Sequence, residues 1–375
     1  MFNVTRRSML RLIGMGGSAS ITGCMDGGGQ QKLSNPTNNS TQQIDVEVDV
    51  DRIAADPADV PDPVTHDEPK HHDIQIETEE LTAELRDGVT FDYMTFDGQV
   101  PGPMYRVRRG DTITVSLKNP ESSKHPHNID FHAVYGTGGG AKASMAMPGE
   151  TQTFKFKCEY PGAFIYHCAV PNLDQHISAG MFGMILVEPE EGLPEVDREF
   201  YLGQHEVYTD KTADAKGHHS FSFEKMKKET PTYVLFNGEW YPFTPDRYGR
   251  LEAEKGEKIR TYLVTGGPNL TSNFHPIGNV WTKAWPNGSV KTDPDEYVQT
   301  MKAAPGSTFI GDMDTPVPET IKLVDHALTR VARQGLMAEI DVSGQPEPDI
   351  FDPQKTETKS ENTDTSENES DHRHN

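Results

Sequence analysis

The sequence predicts an all-β protein made of two tandem Greek-key β-sandwich domains. Three observations carry this. Short alternating stretches recur, as in Ile74-Gln75-Ile76-Glu77 and Thr112-Ile113-Thr114-Val115-Ser116-Leu117. Turn formers punctuate them, with 33 Gly and 27 Pro. One half of the chain repeats motifs of the other, and 375 residues suffice for two domains of ordinary size.

Residues 1–24 read as an export signal. Thr5-Arg6-Arg7-Ser8-Met9-Leu10-Arg11 is a twin-arginine pattern, and the glycine-broken apolar run behind it is too short to span a bilayer. It ends in Ile21-Thr22-Gly23-Cys24, similar to the lipobox at which an exported lipoprotein is acylated on cysteine, so Cys24 is the expected lipidation site. An export signal whose cleavage region happens to contain a cysteine would read the same way. The chain is then exported to the outer face of the cell membrane and held there by lipid alone. Residues 25–69, rich in Gly, Asn, Gln, Thr, Pro and Asp, read as a flexible tether, and His66, His71 and His72 near its end as a solvated surface cluster.

The first domain, 70–190, continues through Val89-Thr90-Phe91-Asp92-Tyr93, a turn at Arg109-Gly110-Asp111 and a strand before Cys158, which is expected as a small buried hydrophobe. Pro161-Gly162 opens the strand that carries His167 and Cys168. The second domain, 195–343, reads as a degenerate copy. Phe96-Asp97-Gly98 recurs as Phe236-Asn237-Gly238, Arg109-Gly110-Asp111 as Lys255-Gly256-Glu257, Pro148-Gly149 as Pro305-Gly306, and Tyr166-His167-Cys168-Ala169 as Val324-Asp325-His326-Ala327. The copy keeps the histidine and lacks the cysteine. Residues 344–375 have almost nothing apolar and read as a disordered acidic tail. Formal charge is −23, which argues against a nucleic-acid partner and suggests a strongly solvated, high-salt (halophilic) surface.

Chemistry concentrates between His127 and Met181. His127, Cys168, His176 and Met181 supply two imidazoles, a thiolate and a weak axial thioether, the donor set of a blue-copper electron-transfer site. Neighbours on a strand face opposite sides, so His167 points away from Cys168 and serves a second metal joined to the first by one peptide link. His127 and His132 lie an odd number of residues apart, which sets His132 with His167 and His127 with Cys168 if the segment is extended. Asp130 shares the face of His132, where a carboxylate can carry protons. The second domain could lend His326, and His275 with it, to that second metal.

In these motifs the chain resembles the copper-containing nitrite reductases, homotrimers whose subunits hold two cupredoxin-like domains. The resemblance rests on His-Asn-Ile-Asp-Phe-His at 127–132, Tyr-His-Cys-Ala at 166–169, His-Ile-Ser-Ala-Gly-Met at 176–181, Phe-His-Pro-Ile-Gly at 274–278 and Val-Asp-His-Ala-Leu at 324–328, and it covers 70–343. It implies two coppers per subunit. Type 1 copper is expected on His127, Cys168, His176 and Met181, and type 2 copper on His132 and His167 of one subunit with His326 of its neighbour. Asp130 and His275 match the family's proton-delivering pair, and Ile277 the residue that shapes the nitrite pocket. The implied reaction is one-electron reduction of nitrite to nitric oxide in denitrification, with electrons from a small exported cupredoxin or cytochrome. Seven residues separate Cys168 from His176, as in the short-loop subgroup that includes lipid-anchored members. The colour and potential of the type 1 site stay open, because axial geometry tunes both.

Two other functions fit parts of the pattern. An exported electron carrier would use the type 1 site alone and leave Asp130, His132, His167, His275 and His326 unexplained. Resemblance to a multicopper oxidase reducing oxygen would require paired His-x-His motifs supplying about eight imidazoles, the many-ligand demand of a copper cluster. Here only His125-Pro126-His127 and His372-Arg373-His374 have that form, the latter in the tail.

Overall fold

Residues 48–50 and 52–353 are described by the computed structural model. The export signal, Cys24, the first part of the tether and the tail from 354 lie outside the described residues.

The first sandwich pairs a five-stranded sheet with a four-stranded one. Side by side, the larger sheet runs Gly217–His219, Val89–Phe96, His71–Arg86, Thr112–Lys118 and Thr151–Lys157, and the smaller Tyr105–Arg108, Phe182–Glu188, Gly162–His167 and Asp130–Phe131. Alternation in the sequence becomes alternation in burial: Ile113, Val115 and Leu117 face the core while Thr112, Thr114 and Ser116 do not. Phe182–Glu188 is buried on both faces, which its unbroken apolar run Phe-Gly-Met-Ile-Leu-Val anticipates.

The second sandwich has a six-stranded sheet (Tyr233–Phe236, Arg198–Val207, Lys258–Gly267, Ser307–Asp314, Trp281–Pro286, Asp295–Val298) and a five-stranded one (Leu251–Glu254, Met337–Ser343, Glu319–Asp325, Ser272–Ile277, Met301–Ala303). The repeat seen in the sequence is also a repeat of backbone conformation. Asp97 and Gly98 have φ of 56° and 71°, and Asn237 and Gly238 have 47° and 83°. Both pairs therefore make the left-handed two-residue turn that Asp-Gly and Asn-Gly favour. Gly110 and Gly256 share a φ of 95°.

The sandwiches meet across a continuous core. Tyr201, Val264 and Ile310 of the second pack in the cluster that holds Phe131, Cys168 and Met181 of the first. Phe182 sits between Gly203 and Gly266, where a Cβ would come within 2.9 and 2.8 Å of its ring.

The tether ends earlier than the sequence suggests. Ile53 and Ala54 are buried in the first and second cores respectively, and both backbone N–H groups donate to Glu239 Oε1 at 3.0 Å. Ala55 and Ile53 bond to the backbone of Val100, and the Pro57 carbonyl accepts from Tyr201 N. One short apolar run, Ile53-Ala54-Ala55, is enough to anchor a segment whose composition is otherwise that of a linker. His218 and His219, in a polar stretch of sequence, form a strand that joins the first sandwich beside Val89–Phe91, and His219 is buried.

Candidate metal centres

Cys168 follows the strand Gly162–His167, His176 lies on the short helix Leu173–Ser178, and Met181 immediately precedes the strand Phe182–Glu188. Backbone bonds close this loop on itself, with Cys168 N donating to Met181 O at 3.1 Å and Met181 N to His176 O at 3.0 Å. His127 enters from a loop that bridges Ala146. All four residues are buried. The Cys168 sulfur stands 3.9 Å from His127 Nδ1 and 3.6 Å from His176 Nδ1. Asn128 Oδ1 accepts from Ala169 N at 2.7 Å and lies 3.7 Å from the sulfur, fixing the turn after the cysteine. On the far side of His127, Nε2 lies 3.2 Å from Glu80 Oε1, an acceptor, which leaves Nδ1 free to face the sulfur.

Electrostatics at this cluster call for a cation. Burial pushes the Cys168 thiol up to about 11, against the pull of the N–H groups of Asn128, Val170 and Ala169. Burial, with His127 and His125 beside it, holds His176 down to about 4. A buried thiol between two imidazoles is a set that a soft metal satisfies, because binding deprotonates the sulfur and uses one nitrogen of each ring. The residues present therefore fit copper.

The second group faces the other way. Asp130 pairs with His167 and Phe131 with Tyr166 in the antiparallel register, and His132 N donates to Ile165 O. His132 Nε2 and His167 Nε2 stand 3.1 Å apart, and Asp130 joins them. His167 Nδ1 lies 2.9 Å from the Cys168 carbonyl, which can only accept, so its Nε2 keeps a lone pair toward His132. Burial and the neighbouring His167 lower the His132 pKa. Gly139 closes over this group with φ of 54°, and a Cβ there would stand 1.8 Å from Asp130 Oδ1.

His275, Ile277 and His326 lie on the second sandwich. On the strand Ser272–Ile277, His275 and Ile277 share the less buried face, and Ile277 is 40% exposed. His326 follows the strand Glu319–Asp325, and its ring meets that of His275 edge-on at 5.2 Å. His275 Nδ1 donates to Gln299 O at 2.8 Å, which turns Nε2 outward. Asp325, next to His326, is fully buried and accepts from Gln204 Nε2 at 3.2 Å, Asn273 Nδ2 at 3.1 Å, Ala327 N at 2.9 Å and Arg330 Nη1. Among the described residues of one chain, neither His275 nor His326 joins the group of Asp130, His132 and His167.

Of the candidates from His127 to Met181, His127, Cys168 and His176 lie in one group and Asp130, His132 and His167 in the other, although only Asp130–Phe131 of the segment 127–132 is a strand; Met181 is tied to the first group by its backbone bonds to Cys168 and His176. Glu80, Asn128, Gly139, Asp325 and Arg330 were not singled out from sequence. Asn128 and Asp325 stand inside the motifs at 127–132 and 324–328. Glu80 lies 47 residues from His127, and no local signal connects them.

The multicopper oxidase family matches residues 77–192. The copper-containing nitrite reductase of Neisseria meningitidis serogroup B is 41% identical over 309 residues, spanning 82% of this chain and 78% of the relative. That of Alcaligenes xylosoxydans xylosoxydans is 30% identical over 294 residues, 74% of this chain and 88% of the relative. A solved copper nitrite reductase from Nitrosomonas europaea is 32% identical with a TM-score of 0.66, covering 74% of this chain and 96% of that one. With these relatives and two cupredoxin-like sandwiches, the chain belongs to the copper-containing nitrite reductases, a family of copper enzymes.

Proposed function

We propose that the chain reduces nitrite by one electron to nitric oxide and water, taking up two protons, with type 1 copper on His127, Cys168, His176 and Met181 and type 2 copper on His132, His167 and a second subunit's His326. The observation that carries this reading is the Cys168-His167 pair, adjacent in sequence, each facing its own set of donors. Bound copper would supply one-electron redox chemistry and a Lewis acid for the nitrite oxygens. Asp130 lies beside His132 and His167, where a carboxylate can pass a proton to bound substrate. His275, anchored through Nδ1 to Gln299, offers Nε2 as the second proton carrier, and Ile277 gives an apolar wall.

The separation of His275 and His326 from His132 and His167 within one chain supports a homotrimer in which one subunit's second domain meets the next subunit's first. An open cleft beside His167, lined by Leu173, Pro268, Asn269 and Gly306, offers a surface for that contact. The electron donor is a small exported cupredoxin or cytochrome, the physiological route denitrification, and the place the outer face of the membrane, reached by twin-arginine export and held through lipid on Cys24. The acidic surface is an adaptation to high salt, for which full activity in dilute buffer would be the contrary result.

The test is anaerobic nitric oxide release from nitrite with an artificial reductant, on protein whose copper has been counted. Release at about two coppers per subunit supports the reading. Full loading without release points to oxygen as the substrate, and a single tightly held copper to an electron carrier.

A further inference from the structure

A third group of donors lies apart from both copper centres, where the chain enters the first sandwich. Asp111 opens the strand Thr112–Lys118, and its carboxylate is fully buried. The backbone N–H of Lys70 donates to Oδ1 at 2.7 Å and that of Arg108 to Oδ2 at 2.9 Å, which orients the group. Burial alone would raise this carboxyl, but those N–H groups and two imidazoles outweigh it and keep the pKa low. His66 Nε2 lies 3.0 Å from Oδ2 and 3.2 Å from Oδ1, straddling the two oxygens, and His72 Nε2 lies 2.8 Å from Oδ2. One donor atom from each residue falls within 4.8 Å of the others. His66 is 12% exposed and His72 27%, so this is no solvated cluster.

We propose that His66, His72 and Asp111 form a metal site for a borderline divalent ion such as zinc, which clips the segment leading into the first sandwich onto its sheet. Two imidazoles and a carboxylate suit such an ion, and the absence of sulfur from the set disfavours copper(I). Metal-to-donor bonds of about 2.0–2.2 Å bring donor atoms of one ion to within roughly 3 Å of each other, the spacing already present between these nitrogens and oxygens. One lone pair of each oxygen is taken by a backbone N–H, and the lone pairs that remain face the imidazoles. Hydrogen bonds to the carboxylate are the support that metal-binding carboxylates receive from their surroundings. His72 is open enough to admit water as a further ligand. His71, exposed and bonded to Thr112 Oγ1 at 2.9 Å, takes no part.

The test uses the copper-loaded protein. Zinc is titrated by calorimetry, and zinc and copper are both counted after desalting. Wild type is compared with His66→Ala, with His72→Ala and with a tail variant carrying His372→Ala and His374→Ala. The expected result is one zinc per chain in addition to copper rather than in exchange for it, weakened at least about tenfold in each of the first two variants and unchanged in the third. Cobalt(II) offered in place of zinc to the copper-loaded wild type should add visible ligand-field bands to the copper spectrum, which decides the matter even if a variant fails to fold. Type 1 absorption and nitrite turnover should stay at wild-type level in all variants. Zinc that displaces copper, follows the tail histidines or ignores both His66 and His72 would overturn the site, as would wild type that retains neither zinc nor cobalt.

Discussion

Replacing Cys168 with alanine removes the only sulfur within the buried triad while leaving His132 and His167 as they are. Cys168→Ala should abolish the intense visible absorption and donor-driven turnover yet retain the electron-paramagnetic signal of type 2 copper; sustained turnover would refute the electron route. Asp130→Asn keeps shape and leaves His132 and His167 in place but removes the carboxylate proposed as proton carrier. A fall in rate of about 10²–10⁴-fold, with metal content unchanged, is expected. His205 offers a test away from the metals. It is fully buried, its Nδ1 donates to the Ser178 carbonyl at 3.0 Å, and its Nε2 has no hydrogen-bond partner among the described residues. Burial holds its pKa at about 4 against an ordinary 6.5. The unfolded chain therefore takes up a proton that the folded chain refuses, and the stability from a neutral His205 is complete above about 6.5 and lost as pH falls toward 4. His205→Gln should flatten that stretch of the stability-versus-pH curve, read by denaturant midpoints on either side of the interval.

At the level of elements, the loop after each copy of the repeated strand is held by a different device. After Cys168 it is Asn128 and the backbone closure to Met181; after Asp325 it is a buried carboxylate with Arg330 on it. Arg330→Met leaves the Asp325 charge buried without its cation, and a loss of about 3–5 kcal/mol is expected by chemical denaturation. Type 2 copper should be lost at lower denaturant than type 1, because the His326 loop is the part released. Elements with strong alternation or paired turn glycines were legible from sequence, as with Thr112–Lys118 and the Asp97-Gly98 turn, because period and turn chemistry are local. Cys158, expected as a buried hydrophobe, is fully buried, and its thiol is pushed up to about 12 by burial and by Asp111. Three residues are too few to show a period, so His218 and His219 gave no strand signal. Glu80 and Asp111 were silent because their partners come from segments distant in sequence. Asp111 holds His66 from 45 residues away, and a solvated histidine and one docked on a buried carboxylate read alike in a sequence.

For the whole molecule, the separation of donors within one chain makes a prediction that concerns subunits rather than residues. Chains carrying His132→Ala and chains carrying His326→Ala should each be inactive alone. Mixed before assembly in equal amounts, they should recover about a quarter of the wild-type activity, since chance pairing restores both halves at that fraction of interfaces. No recovery would mean that each chain builds its own site. The segment at Ile53 and Ala54 carries a mechanical consequence. Any pull on the chain from its N-terminal side arrives first at Thr82 and Ala83, on an interior strand of the first sandwich where Asp49 and Val50 are held, and next at Glu239, Asn237 and Val100 in the seam between the sandwiches. Several hydrogen bonds from both domains share that load, so the strand carrying Cys168 and His167 is spared tension, and a tug that would peel a terminal strand is spent on these anchors instead.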